Sequence, residues 1–211
     1  MAQSQDDVRA AYDLACEVYA QKFTRELDYK PRDRELLDRF ASFVGPGNPV
    51  LDLGCGPGHT TAHLNSLGVR ATGLDLSPGM IAQAKNLFPE TEFVVGDMLE
   101  LQFPDSSMAG VLAFYSIVHF SPSQLPRVFG SMHRVLKDGG VVLLSFHVGT
   151  EVYHNTNFLE TGTPLDFTCF DVVTVESALA AVGFGRIETI VREPYEPEYP
   201  SQRCYMLAFR A

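Results

Sequence analysis

Tryptophan is missing from this chain, and no apolar run approaches the roughly 18 residues that a membrane helix needs. Basic residues are scarce, 16 Lys and Arg against 26 Asp and Glu, a net charge of -10. That deficit argues against nucleic acid and anionic membrane surfaces as partners, since both call for basic surface. The four cysteines, Cys16, Cys55, Cys169 and Cys204, are scattered, with no CxxC pair and no short Cys/His spacing. Neither a zinc site nor a disulfide framework is expected from them. Internal repeats and low-complexity linkers are also lacking. The first residues, Gln3, Gln5, Asp6 and Asp7, are polar and acidic, unlike a secretory signal, so a cytoplasmic location is expected. A length of 211 residues suits one domain with a sizeable core, acting as a monomer or homodimer.

What is present is concentrated at Pro49-Val50-Leu51-Asp52-Leu53-Gly54-Cys55-Gly56-Pro57-Gly58. Val50, Leu51 and Leu53 suit a buried parallel strand. Gly54, Gly56 and Gly58 then leave no side chains where a ligand could approach the backbone. The next segment reads as a helix, whose free N–H groups would face the same spot. Asp75 follows Gly54 by 21 residues, at the end of a second strand-like run. An acidic residue about 20 positions after a first glycine turn is the ribose-hydroxyl acceptor of dinucleotide folds. The spacing here, however, is G-x-G-x-G, and His59 stands where the third glycine of a dinucleotide fingerprint would be. Asp52 would repel a pyrophosphate and suits a ligand with a cationic amino group.

Asp52 to Gly58, with Asp75 downstream, resembles the first motif and following acidic position of the class I S-adenosylmethionine-dependent methyltransferases. Gly96-Asp97-Met98 is similar to that family's adenine-contacting acidic turn. Ala113 to Phe120 is similar to its fourth strand and active-site rim, and Leu136 to Phe146 to the turn into its fifth strand. The resemblance covers roughly Val50 to Phe146. It implies S-adenosylmethionine as cofactor, contacted by Tyr19, Asp52, Gly54, Cys55, Gly56, Asp75, Leu76, Met80, Gly96, Asp97, Met98 and Tyr115. It implies a Rossmann-like α/β fold, a doubly wound seven-stranded sheet of order 3-2-1-4-5-7-6 with the last strand antiparallel.

The periodicity agrees with that architecture. Helices are expected over Asp6 to Glu26 and Pro31 to Val44, the first with Val8, Ala11, Tyr12, Ala15 and Tyr19 on one side. Strands follow at Pro49 to Leu53, Arg70 to Leu76, Glu92 to Val95, Gly110 to Ser116 and Val141 to Phe146, with helices between them. Ser77-Pro78 and Ser121-Pro122 read as helix starts. A helix opening at Thr174 and strands over Arg186 to Arg192 and Arg203 to Phe209 close the chain. The single domain thus divides into a helical cap (1–45), a cofactor-binding core (46–147), a segment over the substrate (148–172) and a C-terminal helix and hairpin (173–211). Val148 to Asp171 is too long for a simple connection and rich in aromatics, which reads as a lid.

Methyl transfer from a sulfonium needs alignment and exclusion of water, and a base only where the nucleophile is protonated. His119 and His147 are expected at strand ends facing the site, and His147 is favoured as base because Glu151 could orient its ring. His147, Glu151 and His154 could also bring three ligands to a metal, but on a loop they suit substrate contact better. Tyr12, Ser116, Glu151, His154 and Phe167 are the candidate substrate contacts. His59, His63 and His133 fall on helices and are expected to face solvent. The rim Tyr115-Ser116-Ile117-Val118-His119 lacks both the acidic and Asn ligands of metal-dependent catechol-type enzymes and the Asn/Asp-Pro-Pro-aromatic turn of amino-methyltransferases. A small-molecule acceptor, methylated on O or N, is expected. The alternatives are a non-catalytic nucleoside-binding module of the same fold and an NAD-dependent oxidoreductase.

Overall fold

Along β1 (Pro49–Leu53) successive side chains alternate between two apolar layers, and this alternation organises the molecule. Leu51 and Leu53 face one cluster; Val50 faces the other. The computed structural model describes residues 3–196 and 198–211. Its elements are α1 (Gln5–Phe23), α2 (Pro31–Val44), β1, α3 (His59–Ser66), β2 (Arg70–Asp75), α4 (Pro78–Leu87), β3 (Glu92–Val95) and β4 (Met108–Phe114), followed by α5 (Leu125–Val135), β5 (Leu136–His147), β6 (Val152–Asn155), β7 (Leu165–Thr168), α6 (Val172–Ala181), β8 (Phe184–Arg192) and β9 (Arg203–Arg210).

The main sheet has seven strands in the order β3-β2-β1-β4-β5-β9-β8, and β6 and β7 pair separately. Strand β9 runs antiparallel to both its neighbours, while the pairs from β3 to β5 are parallel. Counted within the sheet, this is the expected 3-2-1-4-5-7-6. One face is covered by α5 and α6 through Val128, Phe129, Met132, Val175 and Leu179. The other is covered by α2 and α3 through Leu36, Leu37, Phe40, Val44 and Leu64. Chain order reverses direction between β1 and β4, and in such sheets the crevice beyond those two strand ends takes the ligand.

Helix starts follow the sequence signals. Ser77 caps α4, its Oγ accepting from the Met80 N–H at 3.0 Å, with Pro78 at the first turn. At Ser121-Pro122 the chain forms one 3₁₀ turn, Pro122–Gln124, before α5 begins. Two expectations need correction. The fourth strand ends at Phe114, not Ser116, because Tyr115 turns into the left-handed region at φ 52°. Residues 148–171 hold an antiparallel hairpin, with Tyr153 opposite Phe167, where a loop was expected. The hairpin packs on α1 through Phe158, Leu165, Val8, Ala11 and Ala15. The described residues include no helix long and apolar enough to cross a membrane.

Candidate functional site

The three glycines after β1 all have positive φ, at 70°, 53° and 85°, but only one faces open space. A Cβ on Gly54 would meet Ser116 Cβ at 2.5 Å, and one on Gly58 would meet Phe93 Cζ at 2.5 Å. Those two glycines let protein approach protein. A Cβ on Gly56 would find only Tyr19 Cε1, at 3.7 Å. Gly56 alone therefore keeps ligand space clear.

Asp52 corrects another expectation. It is 1% exposed, and its Oδ2 accepts the Thr60 and Thr61 hydroxyls at 2.8 and 2.7 Å. It ties the strand end to the first turn of α3 and lines neither of the two cavities at this site, so both threonines, not a ligand's amino group, hold it. Asp75 does line one. Its Oδ2 accepts the Gly56 N–H and its Oδ1 the Ser77 N–H, both at 2.9 Å. A carboxylate has about four acceptor directions, so each oxygen keeps one free for a ligand hydroxyl. Burial, opposed by those two N–H groups and reinforced by Asp52 and Asp13, holds its pKa up at about 6. Asp13 of α1 belongs to the same frame, its Oδ1 accepting Ser77 Oγ at 2.5 Å and Gly79 N at 2.9 Å.

The opposite wall is the end of β4. The strained backbone of Tyr115 is held by two bonds from its N–H, to Ser145 O at 3.1 Å and Ser145 Oγ at 2.8 Å. Ser116 Oγ beside it is buried and has no partner among the described residues. From α1, Tyr12 and Tyr19 cross edge to face, ring centres 5.7 Å apart, and close the top.

Two cavities meet here. The first, about 80 Å³, is lined by Asp75, Leu76, Gly96, Asp97, Met98, Ser116 and His119. The second, about 350 Å³, is within the roughly 300–1,000 Å³ of small-molecule sites and is lined by Cys55, Lys30, His59, His147, Phe158, Phe167, Glu198, Tyr199 and Arg203. Tyr12, Tyr19, Gly54, Gly56, Phe114 and Tyr115 line both. Of the residues named from sequence, Asp52 and Met80 lie outside both cavities, Met80 at 1% exposure in the core under α4. Glu151 and His154 lie outside too.

The histidines divide. His119 sits on the 3₁₀ turn Ile117–His119. Its Nδ1 lies 3.1 Å from the Asp166 carbonyl, which can only accept, so the proton is on Nδ1. Its Nε2 then accepts from Tyr12 Oη at 2.8 Å, and no ring nitrogen is left for an acceptor. Burial lowers its pKa to about 4. His147 pairs through Nδ1 with Ser201 Oγ at 2.9 Å, and burial with the nearby Arg203 charge lowers its pKa to about 4. Glu151 does not orient it: that carboxylate accepts the Thr150 N–H in its own turn. His154 pairs with Asp166 at 2.9 Å, so His147, Glu151 and His154 do not converge. His59, expected at the surface, is instead only 9% exposed at its side chain and binds Glu26 at 3.0 Å. Its placement under the cap helices depends on Glu26, 33 positions away, which no local pattern announces.

Residues 50–140 match a family described as a methyltransferase domain. A malonyl-[acyl-carrier protein] O-methyltransferase of Serratia marcescens is 36% identical over 100 residues, which is 47% of this chain and 38% of that protein. The chain spans about half or less of the length of the curated relatives it matches first. Among solved structures, the magnesium protoporphyrin IX methyltransferase of Synechocystis PCC 6803 with bound S-adenosylmethionine superposes with a TM-score of 0.71 at 18% identity, covering 100% of this chain and 99% of that one. The [4+2]-cyclase SpnF superposes with a TM-score of 0.76 at 16% identity, covering 99% and 97%.

Proposed function

We propose that this chain, which belongs to the class I S-adenosylmethionine-dependent methyltransferases, moves the methyl group of S-adenosylmethionine to an oxygen or nitrogen of a small molecule in the larger cavity. The observation that carries this reading is the shared wall. Six residues line both cavities, so two ligands would meet end to end there.

The residues present fit the cofactor. Gly56 leaves the space a Cβ would fill, Ser116 Oγ is a buried polar atom awaiting a partner, and Asp75 keeps two free acceptor directions. Asp75 would hold the ribose hydroxyls and Gly96, Asp97 and Met98 the base, with Tyr12 and Tyr19 offering ring faces to a cation. When bound, the cofactor supplies a methyl group on positively charged sulfur, open to in-line displacement. The chain supplies the rest. Tyr12, Tyr19 and Phe158 wall off water, and the hairpin over residues 152–168 acts as a cover anchored on α1. The acceptor named for one relative, malonyl-[acyl-carrier protein], is methylated on oxygen, which supports an oxygen acceptor here.

The competing reading is a binding module that holds the nucleoside without transferring its methyl group, or turns the fold to other chemistry. The cyclase neighbour favours taking it seriously, since fold alone does not fix reaction. Incubation with methyl-labelled S-adenosylmethionine and a panel of phenols, catechols, amines, carboxylic acids and thiols separates the two. Label transfer to a panel member is the expected result. Tight cofactor binding with no acceptor labelled above background would overturn the catalytic reading.

A further inference from the structure

Beneath the shared wall runs a chain of hydrogen bonds that cofactor binding does not call for. Tyr115 Oη lies 2.8 Å from Tyr205 Oη, and Tyr205 Oη donates to Asp33 Oδ1. Arg192 Nε reaches the same Tyr205 oxygen at 2.7 Å, and Arg192 Nη2 pairs with Asp33 Oδ1 at 3.1 Å. Asp33 is 0% exposed, and its Oδ2 is buried without a partner among the described residues.

The polarity of this chain is fixed. The paired Arg192 keeps Asp33 a carboxylate, which only accepts, and a guanidinium only donates. Tyr205 therefore donates to Asp33 and accepts from Arg192. Its one remaining lone pair must take the Tyr115 O–H. Tyr115 thus donates to Tyr205, and because Arg192 Nη2 also reaches its Oη at 3.5 Å, what it can offer a ligand is its remaining lone pair. A ligand group lying on it has to be a donor. The charged groups facing these atoms are Lys30, whose Nζ is 5.6 Å from the Tyr115 ring centre, Arg192, and Glu198, which pairs with Arg192 at 2.6 Å. The His147 ring lies 5.8 Å from that of Tyr115. Burial and the neighbouring Asp33 keep both phenols protonated, so they can pass a proton but not hold a negative charge. Burial also raises the proton affinity of Asp33, against the pull of Tyr205, Lys30 and Arg192. A purely structural tie between α2, β8 and β9 would need only Asp33, Arg192 and Tyr205. It would need neither Tyr115, a residue of the wall that the two cavities share, nor an unpaired carboxylate oxygen.

Resting on the methyl-transfer reading, we propose that Tyr115 takes the proton of the acceptor's hydroxyl or ammonium group, and that Tyr205 relays it to Asp33. With a hydroxyl acceptor the O–H bond breaks as the oxygen attacks the methyl carbon; with an ammonium the N–H bond breaks first and frees the nitrogen lone pair for that attack; in both cases the proton forms its new bond to Tyr115 Oη. The Tyr115 proton moves to Tyr205 Oη, and the Tyr205 proton to Asp33, which becomes a neutral carboxylic acid. The electron pair of the broken carbon–sulfur bond stays on sulfur. One positive and one negative charge disappear together, so the buried site ends with less charge than it began. The acceptor class follows: alcohols, phenols or amines whose attacking atom carries a proton at neutral pH, not thiolates or carboxylates.

Phenol, benzylamine and thiophenol share a ring and differ in that proton, thiophenol being largely ionised in mild base. Tyr205→Phe breaks the relay and leaves the Asp33–Arg192 pair intact; Tyr115→Phe and Asp33→Asn accompany it, with circular dichroism as the folding check. Turnover of phenol or benzylamine is expected to fall by about a hundredfold or more in the variants, within the usual worth of a proton-transfer group. In Tyr205→Phe, which lies outside both cavities, thiophenol turnover and the affinity for S-adenosylhomocysteine are expected to stay within about threefold of the parent. Equal losses for all three acceptors would mean a structural tie and overturn the relay. So would a phenol rate that His147→Ala abolishes and Tyr205→Phe does not, or a parent protein that methylates only thiols or carboxylates. A parent protein that binds S-adenosylhomocysteine and labels no panel acceptor overturns the methyl-transfer reading itself, a different outcome from any of these.

Discussion

Gly56→Val is expected to abolish binding of S-adenosylhomocysteine, with at least about a hundredfold loss, while the protein stays folded. At φ 53° the new side chain costs roughly 1–2 kcal/mol for a left-handed backbone. That corresponds to a fall in melting temperature of about 2–8 °C for a chain of this size. The Cβ itself meets nothing closer than Tyr19 at 3.7 Å, so its methyl groups project into the space between Gly56 and Tyr19. Both residues line both cavities. The neighbouring glycines should behave differently. At Gly54 and Gly58 a Cβ would stand 2.5 Å from Ser116 and Phe93, so substitutions there should show up as lost stability. Calorimetric titration of the Gly56→Val variant, beside its melting curve, checks the distinction. Binding within about threefold of the parent would remove the turn from the site.

Asp75→Ala is expected to weaken the same binding by about 1.5–3 kcal/mol, roughly 10- to 150-fold, the worth of hydrogen bonds to a charged group. Two backbone N–H groups, of Gly56 and Ser77, lose their acceptor at the same time, which pushes the effect toward the upper end. The carboxylate also makes binding depend on pH. Its pKa in the free protein is raised to about 6, so the charged form that accepts both hydroxyls is present above that value. Below pH 6 a proton must leave before the ligand is held. Affinity should therefore be flat from pH 8 to 7 and fall by about tenfold per unit below 6. His119 and His147, lowered to about 4, do not titrate in that window. Asp75→Asn should be weak and nearly independent of pH. A steady affinity down to pH 5 in the unsubstituted chain would contradict the assignment.

Much of this was legible in the sequence because it is local. The glycine turn, Asp75 at a strand end and the Ser77-Pro78 helix start are each written within a few residues, and strand and helix alternation does the rest. Asp52 misled because a carboxylate before a glycine turn looks alike whether it faces a ligand or caps the next helix. Thr60 and Thr61, in the first turn of α3, were the available signal for capping. The hairpin β6–β7 was missed because each strand is only four residues long and the pair packs on α1 rather than on the main sheet. The relay could not be read at all. Asp33, Tyr115, Arg192 and Tyr205 come from α2, the end of β4, β8 and β9, and only the sheet order brings β9 next to β5 and β8. The favoured base shifted for the same reason: Glu151 is close to His147 in sequence, but the chain turns it back on its own backbone.

The most direct measurement is a calorimetric comparison of S-adenosylhomocysteine and NAD on the unsubstituted chain. Saturable one-to-one binding of S-adenosylhomocysteine, lost in Gly56→Val and weakened in Asp75→Ala, with no heat from NAD, is the expected result. Binding of NAD in its place, or binding of S-adenosylhomocysteine that neither substitution touches, would contradict a methyl-donor site at the ends of β1, β2 and β4.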